Sequence, residues 1–138
     1  MAKTVRVKWI EKKQFVGTDN TKHSVVMSSQ DEENGTGMSP SQLLMVALGG
    51  CTGYDVVEIL QKKRQRLTGL EITITGDQEV DPPWTYRKIH IHYDLRGRDL
   101  DEKAVRKAIQ LSEEKYCSVV ATLREAAEIT YDYTISAD

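Results

Sequence analysis

The residues best suited to covalent chemistry in this chain are its two cysteines, Cys51 and Cys117, and its three histidines, His23, His90 and His92. The cysteines lie far apart, in no C-x-x-C motif and with no histidine at metal-ligand spacing, so they indicate neither a zinc site nor a secreted disulfide scaffold. In a reducing compartment such a pair is either inert or redox-active. Cys51 sits in an apolar run, where a cysteine is by default a small hydrophobe. Tyr54 and Asp55, three and four residues on, share its helical face. The Asp55 carboxylate opposes thiolate formation, so a reactive Cys51 requires a basic partner from elsewhere in the fold. His90 and His92 alternate with apolar residues as on the wet face of a strand, which accounts for them without a metal. A Cys–His dyad drawing on any of the three histidines is the less economical reading.

Cys51 is positioned by the longest helix signal in the chain, Ser39 to Arg66. Ser39 is suited to accept from the free N–H groups of the first turn, Pro40 falls where a missing N–H costs nothing, and Gln42 completes a capping box. Met38 and Leu43 fit a hydrophobic staple. From Leu43 to Cys51 no side chain is polar, which predicts burial on every side; charges return from Lys62. Gly49, Gly50 and Gly53 each cost roughly 1 kcal/mol in a helix relative to alanine, so they imply a packing reason, the simplest being a second backbone passing close to Cys51.

The chain has 138 residues, enough for one domain, 1–138, with a real core and no disulfide support. Its net charge of −2, from 19 basic and 21 acidic residues without long blocks of either sign, gives no footprint for nucleic acid or a membrane surface. The amino-terminal MAKTVRVKWIEKK alternates apolar and basic residues, and no run approaches the roughly 20 residues of a membrane span, so a cytoplasmic protein is expected.

In chain order, Thr4–Ile10 has strand periodicity, Phe15–Val16 opens a second strand, and Gly17–Asn20 turns it into a third over His23–Ser28. Residues 30–37 form a polar loop. After the helix, Leu70–Thr75 and Tyr86–Leu95 alternate as strands, the second presenting Ile89, Ile91, Tyr93 and Leu95 on one face. Asp99 and Glu102 frame an amphipathic helix, Ser118 is placed to cap a short helix over Val119–Glu128, and Ile129–Ile135 closes the chain as a strand. This order predicts an α+β fold with a long central buried helix packed on antiparallel sheets. The apolar half of that helix is hard to cover in so short a chain, and an obligate dimer sharing it would cover it.

SPSQLLMVALGGCTGYDVVEIL and LSEEKYCSVVATL resemble the corresponding segments of the OsmC/Ohr family of peroxide-defence proteins, most closely its YhfA-like branch. The similarity extends to VKW in the first strand, FVG with its turn, the I-H-I-H strand and the last strand. The resemblance implies an OsmC-like fold, an intertwined homodimer and interface sites that each hold two cysteines. Cys51 matches the peroxidatic cysteine and Cys117 the one that resolves it to a disulfide. It further implies no bound cofactor, an external dithiol as reductant and small organic hydroperoxides as substrates. The family's peroxidases add an arginine from the early strand-turn region and a glutamate on the central helix. Here Ser41 stands at the glutamate position, followed by Gln42, and Lys22 is the one Lys or Arg between Phe15 and Ser29. Lys22, Ser41 and Gln42 are therefore the candidates for substrate binding and activation.

Two functions fit. One is a thiol-dependent peroxidase of oxidative stress defence, using Cys51 and Cys117. The other is a dimer without peroxidase activity that binds a small apolar or thiol-reactive ligand at its interface.

Overall fold

In a computed structural model describing all residues from Met1 to Asp138, the chain forms two compact units, Met1–Leu44 and Met45–Asp138. The first unit contains β1 (Arg6–Glu11), β2 (Gln14–Thr18) and β3 (Ser24–Ser28), an antiparallel meander with Trp9 opposite Phe15 and Val16 opposite Val26. Polar groups organise its loops. The Asp31 carboxylate accepts from Ser29 and Asn34, hydrogen bonds that hold it down at about 2, and the Asp19 carboxylate accepts from the Thr21 and His23 N–H groups. No hydrophobic side chain of this unit is buried: Val5, Val7 and Trp9 are each more than 60% exposed.

Helix α1 (Pro40–Lys62) begins where the capping pattern places it, the Gln42 N–H donating to Ser39 Oγ at 3.3 Å while the Ser39 hydroxyl donates to Gln42 Oε1 at 3.0 Å. It ends four residues before Arg66, because the chain enters β4 (Arg66–Gln78) directly. Burial on every side is not observed. One stripe, Leu48, Thr52, Val56 and Leu60, is closed off from solvent, while Leu44 and Val46 remain 41% and 52% exposed. A single sheet can cover only one side of a helix. The helix is nonetheless long and apolar enough to cross a membrane by length and composition, contrary to the sequence expectation, since Val56, Val57, Ile59 and Leu60 follow Cys51 with only Asp55 and Glu58 charged among them.

The second sheet runs in the order β4, β5 (Tyr86–Arg98), β6 (Glu128–Ala137). β4 and β5 pair antiparallel, but β5 and β6 pair parallel, with Tyr93 opposite Tyr133 and His92 opposite Asp132, so the sheet is mixed where antiparallel pairing was expected. The helical segment between them makes the crossover that a parallel pair requires. That segment comprises α2 (Glu102–Leu111), capped by the Asp101 carboxylate, a π-helical turn (Ser112–Tyr116), and α3 (Ser118–Leu123). The core joins the α1 stripe to Ile89, Ile91, Tyr93 and Leu95 of β5 and to Val105, Ala108, Ile109 and Val120. On the opposite face of β5, His90 and His92 both bond to Asp132 Oδ1, at 2.8 and 2.7 Å, stitching β5 to β6. These bonds hold the Asp132 carboxyl below its ordinary range. No group of three or more potential ligands has a geometry suited to a metal.

The glycines of α1 face side chains, not a second backbone. A Cβ on Gly49 would lie 3.0 Å from Ile74 Cδ1 and one on Gly53 3.0 Å from Ile72 Cδ1, whereas one on Gly50 would meet nothing within 4 Å. Gly50→Ala is therefore expected to stabilise the chain by about 1 kcal/mol through helix propensity alone. Gly49→Ala and Gly53→Ala gain less, because their methyls press on the isoleucines. Urea unfolding of the three variants checks this ranking.

Candidate functional site

The mixed sheet and its crossover place Cys51 and Cys117 against one core. Cys51 lies midway along α1, beside the buried Thr52, half-buried against the core. Cys117 is buried and stands at the joint between the π-helical turn and α3, its N–H donating to the Ser112 carbonyl at 2.9 Å. It is also the residue that caps α3. Its Sγ accepts from the Val120 N–H at 3.3 Å, a role expected of Ser118, which is instead the first helical residue. α3 is correspondingly short, ending at Leu123 and not Glu128.

Both cysteines are free thiols. Burial, reinforced by the neighbouring Cys51, pushes the Cys117 thiol up to about 12, and the Val120 N–H offsets only part of the rise. Cys117 thus holds its proton while Cys51 lies nearer solvent.

Beside the thiols is a buried polar group that sequence reasoning passed over. Tyr93 is fully buried and donates its hydroxyl to Glu113 Oε1 at 2.7 Å; Glu113 is 6% exposed. The hydroxyl of Thr52, next in sequence to Cys51, donates to the Gly49 carbonyl at 3.3 Å, and Tyr93 and Cys117 are close enough for their ionisations to oppose each other. Burial raises the Tyr93 hydroxyl far above its ordinary range and raises the Glu113 carboxyl, which the Arg124 charge partly counters. The Arg124 guanidinium donates to the Glu113 carbonyl. On the next turn of α1, Asp55 accepts from the buried Ser112 hydroxyl at 2.9 Å. The available signal was Tyr93 itself, a hydroxyl on an otherwise aliphatic strand face, since a buried phenol requires a partner.

The other candidates belong to the first unit. Lys22 lies in the turn from β2 to β3 at a φ of 68°, its N–H donating to the Asp19 carbonyl at 3.2 Å. Ser41 and Gln42 lie in the first turn of α1, ten residues or so before Cys51. An open apolar groove of about 610 Å³ runs between α1 and β4, lined by Gly50, Gly53, Tyr54, Val57, Leu70 and Ile72 among others; neither cysteine lines it.

A chain with this α+β topology has counterparts among known proteins. The family model described as OsmC-like protein matches residues 31–132, and the chain belongs to the OsmC-like family. Among its relatives is Protein YhfA of Escherichia coli strain K12, 38% identical over 132 residues that cover 96% of this chain and 97% of that one. The crystal structure of a hypothetical protein from Aquifex aeolicus VF5 superposes with a TM-score of 0.89 at 28% identity, covering 100% of this chain and 98% of that one. The organic hydroperoxide resistance protein OhrB of Bacillus subtilis shares the fold, with a TM-score of 0.63 at 12% identity over 97% and 98% of the two chains.

Because burial raises the Glu113 carboxyl from its ordinary 4.5, the folded chain binds that proton more tightly than the unfolded chain does. Its stabilising share is complete below 4.5 and is lost as pH rises through the folded-state value. Glu113→Gln removes this titration while keeping an acceptor for Tyr93. The stability of the glutamine variant relative to the native chain should therefore increase as pH climbs above 4.5 and level off once the folded-state carboxyl has ionised. Thermal melts across that range would show it; parallel curves would place Glu113 in water.

Proposed function

We propose that this protein is a thiol-dependent peroxidase of oxidative stress defence that reduces organic hydroperoxides, with Cys51 as nucleophile and Cys117 as resolving thiol. The observation that carries this reading is a pair of free thiols packed against one core, one half-buried and one buried. Cys51 as thiolate attacks the outer peroxide oxygen, the O–O bond breaks, an alcohol leaves, and Cys51 becomes a sulfenic acid. Cys117 then attacks that sulfur, forming a disulfide and releasing water, and an external dithiol restores both thiols. No bound cofactor is required. The different exposure of the thiols supports the assignment of roles, because the attacking sulfur must meet substrate and the resolving one need meet only Cys51. Membership of a family that includes the fold of an organic hydroperoxide resistance protein supports the substrate class.

Lys22, Ser41 and Gln42 are assigned to substrate binding and activation, the cation being Lys22 or a residue from a second copy of the chain. Lysine supplies a point charge without the planar fork that arginine offers a carboxylate. The working unit in this reading is an intertwined homodimer in the cytoplasm. What supports a second copy is the exposed apolar surface: the three-stranded sheet of the first unit has no buried hydrophobic side chain, and a small sheet needs a covered hydrophobic face to be stable in water. The groove along α1 favours the second reading, in which an OsmC-like dimer without peroxidase activity binds a small apolar or thiol-reactive ligand.

In a dithiol-coupled assay, the native protein should consume a bulky organic hydroperoxide faster than hydrogen peroxide. Cys51→Ser should abolish turnover, and Cys117→Ser should lower it by at least about ten-fold, because the sulfenic acid then lacks its internal partner. A Cys51 inert to hydroperoxide would leave the ligand-binding reading. Sedimentation at micromolar concentration should show a dimer, and a well-folded monomer would remove the second copy from the site.

A further inference from the structure

We propose that the hydrogen bond from Ser112 to Asp55 is a brace that holds Cys117 in register with the helix carrying Cys51, and so sets the rate at which the two sulfurs join. The proposal rests on the assignment of Cys51 as nucleophile and Cys117 as resolving thiol. It names what aligns two residues carried on separate elements.

Ser112 is fully buried where α2 gives way to the π-helical turn, and it is engaged on three sides. Its N–H donates to the Ala108 and Ile109 carbonyls, closing α2. Its carbonyl accepts from the Cys117 N–H at 2.9 Å, the bond that spans the π-helical turn. Its hydroxyl crosses to α1 and donates to Asp55 Oδ2 at 2.9 Å. Asp55 is four residues on from Cys51, one turn along the same face of the helix. A run of hydrogen bonds of normal length therefore leads from the Cys51 helix, through one carboxylate and one serine, to the backbone of Cys117.

A serine within a helix has a nearer acceptor, the carbonyl four residues back. Thr122 uses it, donating to the Ser118 carbonyl at 2.8 Å. Ser112 instead reaches another element, and the carboxylate it finds is not drawn away: Lys62 lines the same cleft as Asp55 but pairs with Glu58 at 3.7 Å. In an α-helix the Ser112 carbonyl would accept from Tyr116; the wider π-helical turn hands it to Cys117, and such turns are frequent at functional sites.

In the step concerned, Cys117 attacks the sulfur of the Cys51 sulfenic acid. The S–S bond forms, the S–O bond breaks, and the hydroxide leaves as water with the proton that Cys117 gives up. The Cys51 sulfur is reduced and the Cys117 sulfur oxidised, the peroxide having supplied the oxidising equivalent. Ser112 and Asp55 act through the backbone of Cys117 and the helix of Cys51, so they are positioning residues. A misplacement of about 1 Å in such an attack can cost on the order of 100-fold in rate.

An aromatic nitrobenzoate disulfide tests the brace without a peroxide. Its reaction with Cys51 releases one coloured thiolate, and attack by Cys117 on the resulting mixed disulfide releases a second, so the second rate reads closure alone. Ser112→Ala and Asp55→Ala should each slow the second release by about ten-fold or more without slowing the first. Their double variant should close no more slowly than either single one, because both remove the same bond. Asp55→Asn keeps an oxygen that accepts from Ser112 and should close at the native rate, a rescue that separates the hydrogen bond from the charge. Urea unfolding of the reduced proteins reads any loss of stability separately, and the half-buried Asp55 provides the variants if Ser112→Ala folds poorly. Native-rate closure in both alanine variants, or closure slowed as much in Asp55→Asn, would overturn the proposal. A native chain that loads at Cys51 and never closes would overturn the resolving role of Cys117 and the brace with it. Native closure with the expected variant pattern, in a protein inert to hydroperoxide, would overturn the peroxidase reading alone.

Discussion

The face of α1 that presents Leu48, Thr52, Val56 and Leu60 has to leave water, and the alternating face of β5 is the surface that lets it do so. The other elements of the second unit follow from that contact. β4 pairs along one edge of β5, and its Ile72 and Ile74 fit against the glycine turns of α1. β6 can reach the other edge in parallel only after a crossover, so α2, the π-helical turn and α3 must lie between them and cover the core from its remaining side. Cys51 is adjacent to Thr52 on the buried stripe, and Cys117 is the joint of the crossover. Packing α1 on β5 therefore also sets both thiols against one core.

The same contact creates the polar interior. One position of the β5 core face is a tyrosine, and a phenol taken out of water without a partner costs on the order of a kcal/mol or more. Glu113 supplies the acceptor and is in turn balanced by Arg124. Burial lifts all three ionisable groups in this cluster, Cys117, Tyr93 and Glu113, so protons are held tightly there. A site of that kind suits chemistry in which a thiol gives up its proton only at the moment of attack.

The first unit follows a different logic. Its strands are joined by hydrogen bonds and its turns by Asp19 and Asp31, but it buries no hydrophobic side chain. Backbone pairing without burial is a weak basis for order in water, since each intramolecular hydrogen bond largely replaces one to solvent. Its apolar residues, like Leu44 and Val46 on α1, are suited to a surface supplied by another copy, and Lys22 is part of that unit.

The helices, the strands and their approximate limits could be read from the sequence because apolar period and capping residues are local signals. Ser39 and Gln42 set the start of α1, and alternation marked β5 and β6. The cysteine-bearing segments were distinctive enough to identify the family. What tertiary structure decided was whatever depends on distant partners. Periodicity along one strand carries no information about its neighbour's direction, so the parallel pairing of β6 was not legible. An apolar run reports what could be buried and not how much cover is available, so the exposed flank of α1 was not legible either. The cap of α3 passed from Ser118 to Cys117 because closure of the π-helical turn on Ser112 fixed which residue could face the free N–H groups. In the sequence, Glu113 stands in the charged run Glu113-Glu114-Lys115. It became an interior carboxyl because the crossover turned it toward a tyrosine that needed an acceptor, and only the folded chain brings together residues 20 positions apart.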